Sequence, residues 1–132
     1  VTAVLIIIAA ISLVVGGIGI MNAMIMSVLE RTKEIGTMKA VGATNQTILG
    51  LFLTEAGIIG LVGGIIGALL GYLLAIGAAG AAQGSGINLK AVATPELFLF
   101  VIGFSVIVGM ISGAYPAWAA SQLDPVEALR YE

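Results

Sequence analysis

The side chains able to do chemistry are few, and they are gathered. The chain carries twelve charged residues, five Lys or Arg and seven Asp or Glu. Five of them fall between Glu30 and Lys39, inside the stretch ERTKEIGTMKAVGA at residues 30–43. Before that block no charge occurs, and after it Glu55 is the only charged residue until Lys90. There is no histidine and no cysteine, which excludes disulfides, imidazole and thiolate metal sites, and Ser-His or Cys-His nucleophilic machinery. GGIGIMN at residues 16–22 approaches the spacing of a phosphate-binding loop. Asn22 stands where a dinucleotide loop needs its third glycine, however, and no Gly-Lys-Ser/Thr follows. Asn22 is expected instead to hydrogen-bond between helices, worth roughly 0.6–2 kcal/mol. QGSG at residues 83–86 offers Ser85 with no base to activate it, so Ser85 reads as a turn residue. Glu55 reads as an interfacial carboxylate at a helix N-terminus. The five methionines read as gap-filling core. No ATP site is expected in this chain.

The charged block has a pattern of its own. Glu30 with Lys33, and Arg31 with Glu34, stand three apart and can pair on a helix for about 0.2–0.5 kcal/mol each. Ile35, Met38 and Val41 form an apolar stripe beside them. Gly42 sits where a helix C-cap would fall, and Thr44 is placed to start the next helix. A short amphipathic helix follows, ending a span. It serves either as a positively charged anchor or as a docking helix whose apolar ridge enters a groove on a partner. An anchor needs the charges but not the ridge. The chain ends SQLDPVEALRYE, where Asp124 as N-cap, Pro125 at the first helical position and Glu127 two residues on specify a helix start. About two turns are marginal alone in water, so a neighbour is expected to pack against them.

Positioning these residues falls to membrane helices. The sequence is 60% hydrophobic and 9% charged, against about 25% charged in a soluble domain. Its nineteen glycines fit the same setting. Three stretches, near residues 2–28, 55–82 and 96–119, reach the ~20 apolar residues that a bilayer core of about 30 Å requires. The first would extend about 40 Å at ~1.5 Å per residue, so it is expected to protrude at its charged end. Thr94, Pro95 and Glu96 mark the start of the third span, and Pro116 is expected to kink or weaken its end. Arg31, Lys33, Lys39 and Arg130 flank one side, and only Lys90, in the loop 83–94, flanks the other. This places the block at 30–44 and the tail at 120–132 in the cytoplasm, and the N-terminus outside. An apolar run beginning at Val1 with no basic leader reads as part of a longer membrane protein. Small residues recur at helical spacing: Gly16 and Gly19 in the first span, Gly60, Gly64, Gly67 and Gly71 in the second, Gly109 and Gly113 in the third. Such faces let helices approach closely. Packing seams within the chain, a homodimer interface and a glycine-lined pore all fit them. The fold class is all-α, a polytopic membrane bundle of three spans with a short helix after the first span and another at the C-terminus.

Three blocks carry a resemblance: GGIGIMNAMIMSVLERTKEIGTMKAVGAT, LTEAGIIGLVGGIIGALLG and YPAWAASQLDPVEALRYE. In that order, and across nearly the whole chain, they resemble the FtsX/MacB-like permease family of ABC transporters. The pairing of ERTKEIG…KAVGA with DPVEALR is the specific part. The resemblance implies helices two to four of a four-helix permease, with a first helix and an extracytoplasmic domain upstream. It implies a plasma or inner membrane location, a second permease copy, and a separate or fused cytoplasmic ATPase that binds ATP and Mg. It implies no cofactor in this chain and no nucleic-acid partner. The ERTKEIG helix would be the coupling helix, with Glu30, Arg31, Lys33, Glu34, Ile35, Gly36, Met38, Lys39, Val41 and Gly42 facing the ATPase. Asp124, Pro125, Glu127, Leu129 and Arg130 of the tail would lie near it. ATP-driven closure of the ATPase would then move the membrane helices and rearrange the external domain. The alternative from another class is a small structural or pore-forming membrane protein joined through its glycine faces.

Overall fold

A computed structural model describes residues 2–84 and 91–130. These residues form five α-helices: α1 (Thr2–Glu30), α2 (Thr32–Ala40), α3 (Asn45–Gly84), α4 (Pro95–Ser121) and α5 (Pro125–Arg130). The chain is all-α, and α1, α3 and α4 are long and apolar enough to cross a membrane. Residues 85–90 of the expected 83–94 loop, Ser85 and Lys90 among them, lie outside the described residues.

Local sequence explains where the helices begin and end. The Thr94 hydroxyl accepts the Leu97 N–H at 3.3 Å, and Pro95 opens α4. The Thr44 hydroxyl accepts the Thr47 N–H at 3.2 Å and so starts α3. An Asp124 carboxylate oxygen accepts the Val126 N–H at 2.8 Å and starts α5. α2 is closed off by Gly42, two residues past its end, whose φ of +112° is the left-handed conformation glycine adopts without strain. Around it the Gly42 N–H bonds the Lys39 carbonyl at 3.0 Å and the Ala43 N–H reaches back to the Met38 carbonyl at 2.9 Å, the double bond of a Schellman turn.

α3 is the long helix, and it reaches well beyond the apolar span, back to the Thr44 cap. It begins at Asn45, ten residues before the span boundary read from hydropathy, and runs for 40 residues, about 60 Å at ~1.5 Å per residue. The polar start NQT belongs to the helix that Thr44 caps, and Ile48 and Phe52 carry its first turns into the core. Glu55 is therefore well inside a helix rather than at its N-terminus, beyond the first turn where the dipole acts.

α4 continues through Pro116 to Ser121. The proline removes one backbone bond, yet Pro116, Ala117 and Ala120 are buried, and that packing holds the last turns in helical form. α4 is the hub, packing most extensively along α3 and also against α1, while α1 and α3 meet only slightly. The α3–α4 seam is made of backbone close approaches. A Cβ on Gly60 would stand 2.5 Å from the Ser105 carbonyl oxygen, and one on Gly109 would stand 2.7 Å from that of Ala56. Gly64 meets the Ser105 side chain, and Gly113 meets Ala56. The Ser105 hydroxyl donates to the Gly60 carbonyl at 2.6 Å, a hydrogen bond between helices in the apolar region.

Half of the small-residue face expected to pack does so. Gly16, Gly19, Gly67 and Gly71 have open space where a Cβ would be. The helices diverge there: α1 is exposed throughout its first half, and α3 and α4 separate around an apolar hollow of about 270 Å³ beside Gly67, Gly71, Tyr72 and Phe98. Tyr72 and Phe98 meet edge to face across it at 5.9 Å. Asn22 is exposed on α1 and forms no hydrogen bond with another helix among the described residues. The expectation of an interhelical amide bond is not met, because the helix face that carries it has no neighbour within the chain.

Candidate functional site

All five helices meet at one end, and the buried core lies there. Met24 and Val28 of α1, Ile35 of α2, Ile48, Phe52 and Ala56 of α3, and Ala117 and Ala120 of α4 form a single cluster, with Met38, Ala43 and Leu123 packed against its edge. The charged block and the tail both belong to this junction. Their sequence separation of some ninety residues gave no sign that they touch.

The bend between α1 and α2 is made at Arg31. Backbone hydrogen bonding continues across it, Arg31 N–H to Ser27 at 3.1 Å and Ile35 N–H to Arg31 at 3.0 Å. The Thr32 hydroxyl also donates to the carbonyls of Val28 and Leu29, each at 3.0 Å, a pattern that bends helices. Arg31 does not pair with Glu34, nor Glu30 with Lys33. The one ion pair among the described residues is Arg31–Glu55 at 3.5 Å, which ties the bend to α3. Both side chains are partly exposed, so this pair contributes at most about 1 kcal/mol. Sequence reasoning missed it because it placed Glu55 at a helix start.

α2 lies against α5. A Cβ on Gly36 would stand 2.8 Å from the Ala128 Cβ, so glycine at this position sets the distance between the two helices. Gly36 and Ala128 are both buried. The short tail helix thus has the neighbour its marginal length demanded.

The expected apolar ridge is not a surface ridge. Ile35 is fully buried in the junction core and Met38 half-buried at its edge, while Val41 is 90% exposed. The period-three stripe marks the face that α2 turns inward, toward its own chain, because five helices converge there. What remains outward on α2 is Lys33, Glu34, Thr37 and Ala40, followed by Val41 and Gly42 at the corner; Glu30 is exposed just before the bend. On α5 the exposed residues are Val126, Glu127, Leu129 and Arg130, preceded by exposed Asp124, with Pro125 half-buried. The two faces form one mixed layer in which each charge sign appears and Val41, Val126 and Leu129 supply apolar points.

Lys39 does not belong to that face. Its ammonium donates to the carbonyls of Ser121 at 2.6 Å and Leu123 at 2.7 Å, joining α2 to the end of α4. Among the described residues no cluster of Asp or Glu is arranged to hold a metal ion.

With this geometry in view, the sequence matches the family model described as FtsX-like permease C-terminal over residues 6–125. The chain belongs to the FtsX-like permease family. It is 45% identical over 133 residues to a macrolide export ATP-binding/permease protein, MacB, of Bdellovibrio bacteriovorus, covering 95% of this chain and 18% of that protein. It is 46% identical over 126 residues to an uncharacterized ABC transporter permease of Methanocaldococcus jannaschii, covering 95% of this chain and 32% of the relative. The permease YknZ of Bacillus subtilis is 45% identical over 126 residues, covering 95% and 30%. The chain thus spans 18% to 32% of the length of these relatives. It is a multi-pass membrane permease component of the ABC transporter type.

Proposed function

We propose that this chain is the non-enzymatic membrane part of an efflux-type ABC transporter, and that its junction docks on a cytoplasmic ATPase whose ATP- and Mg-driven closure it passes to the far side of the bilayer. The observation that carries this reading is the union of α2 and α5. The two segments most characteristic of the family, ERTKEIG and DPVEALR, are distant in sequence yet build one layer across the end where all three spans converge. A layer attached to every span is suited to moving them together.

Charge sets the orientation. Arg31, Lys33, Lys39 and Arg130 are all at the junction, which supports a cytoplasmic junction with the α1 N-terminus outside. The docking surface is the outward face of α2 and α5 with the Val41 corner, and not the Ile35–Met38 stripe. A second permease copy would complete the assembly, and an extracytoplasmic domain would receive the motion. MacB of Bdellovibrio bacteriovorus, named for macrolide export, supports efflux as the type of work. Family membership and the internal use of Gly60, Gly64, Gly109 and Gly113 weigh against a pore assembled on glycine faces.

The test uses the absence of native cysteine. In intact cells, Gln83→Cys should react with a membrane-impermeant maleimide, and Thr37→Cys should react only after permeabilisation. The ATPase should co-purify with the wild-type permease and be lost from Val41→Asp. The reverse labelling pattern, or an ATPase that remains bound after substitution across the whole outward layer, contradicts the proposal.

A further inference from the structure

The end of α4 poses a hydrogen-bonding question that α4 does not answer by itself. The last carbonyls of a helix need donors from outside the regular pattern, commonly a left-handed glycine turn or a basic side chain in the last turn. α4 has neither: no basic residue lies in its final turn, and Gln122, its C-cap, keeps right-handed angles. The Trp118 carbonyl accepts the Ser121 hydroxyl at 2.6 Å. The Gln122 N–H reaches Ala119 at 3.2 Å, and the Leu123 N–H reaches Ala120 at 3.3 Å. Two carbonyls beyond these, Ser121 and Leu123, are both taken by one ammonium, that of Lys39, from 82 and 84 residues earlier in the chain. A cation there also complements the partial negative charge at the helix end, and hydrogen bonds from an ionised donor are stronger than neutral ones.

We propose that Lys39 is a positioning residue that fastens α2 to the carbonyl end of α4, and not a contact to the ATPase. The inference rests on the docking reading above and specifies the path by which motion leaves the docked layer. α2 meets the rest of the chain in several places: the bend at Arg31 leads into α1, the turn at Gly42 into α3, Ile35 into the junction core and Gly36 onto α5. Among the described residues Lys39 makes the only side-chain hydrogen bonds from α2 to the end of α4, and from there the Ser105–Gly60 hydrogen bond and the glycine seam lead on into α3. Without the ammonium, displacement of α2 would reach the α4 end through packing alone. Lys33, exposed on the same short helix, is free to serve the partner.

The experiment compares Lys39→Met and Lys39→Arg in the intact transporter, permease with its ATPase, in liposomes. Three quantities are read: insertion and yield, ATPase retained on the permease, and the change that ATP produces in the maleimide labelling rate of Glu96→Cys, at the far end of α4. Methionine keeps the stem and removes every donor, while arginine keeps donors. The expected result is an inserted Met variant that retains the ATPase but loses on the order of tenfold of the ATP-dependent labelling change, with Arg recovering most of it. If the Met variant inserts poorly, recovery of insertion by Arg equally supports an internal clamp. A Met variant indistinguishable from wild type overturns the proposal, as does an inserted Met variant that releases the ATPase, or an Arg variant as poor as Met. Val41→Asp in the same preparation reads docking alone, so its failure to release the ATPase would count against the docking surface while leaving the Lys39 comparison interpretable.

Discussion

The two ends of the same three long helices are built on different rules. At the junction, side chains from α1, α2, α3 and α4 interlock around Phe52 and Met24, α5 packs on α2, and glycines bring backbones within contact distance. At the other end, α1 stands clear of its neighbours and the glycines of α3 have nothing beside them. Glycines occur along the spans toward both ends, so their presence does not separate the two; only packing does. In lipid, burial of apolar area between helices brings little gain by itself, and close packing and hydrogen bonds decide which faces adhere. The difference suits a device held rigidly where force enters and left loose where helices must change their relations.

Substitutions at matched positions can break this comparison or sharpen it. The largest effect is expected at Phe52. Phe52→Ala should destabilise the solubilised permease by about 3–5 kcal/mol through the cavity it leaves. Leu73→Ala, equally apolar but exposed on the same helix, should remain within about 0.5 kcal/mol; thermal unfolding in detergent measures both. Next comes the seam. Gly109→Leu must displace the Ala56 backbone and should cost about 1–3 kcal/mol, whereas Gly67→Leu, with open space beside it, should be near neutral. A neutral Gly109→Leu would show that the seam is not closely packed. At the α2 corner, Gly42→Val forces a β-branched residue into left-handed backbone and should cost about 1–2 kcal/mol. It should also weaken ATP-driven labelling changes at the far end, because the corner carries Val41 of the docking face. The smallest effect is expected at Glu55→Gln. It removes an exposed ion pair and should cost below about 1 kcal/mol, a loss that shrinks further in high salt.

Which features were legible follows from whether their cause was local. Thr94–Pro95, Gly42, Thr44 and Asp124 each act on backbone within a few residues, and each marks a helix boundary where the sequence pointed. Three apolar runs with no interior charge were enough for an all-α membrane bundle. What depended on distant partners was misread. The Ile35–Met38–Val41 stripe showed that α2 has an apolar face without saying whether a partner or the chain itself covers it. The glycine stripes marked possible seams on whole helices, but only convergence at the junction decides that Gly60, Gly64, Gly109 and Gly113 are used and Gly16, Gly19, Gly67 and Gly71 are not. Lys39 looked like one charge among five, and its task became visible only with the α4 carbonyls beside it. Ser105 did carry a signal, as a hydroxyl within an apolar span, which in lipid favours a bond to another helix.

The central claim is that the outward layer of α2 and α5 meets the ATPase while the inner face of α2 belongs to the permease. A photo-crosslinking residue placed at Val41 or at Ile35 of the intact transporter, irradiated in native membranes, tests it most directly. The account predicts that position 41 captures the ATPase and that position 35 yields only links within the permease. Capture from position 35 with none from position 41 would contradict it.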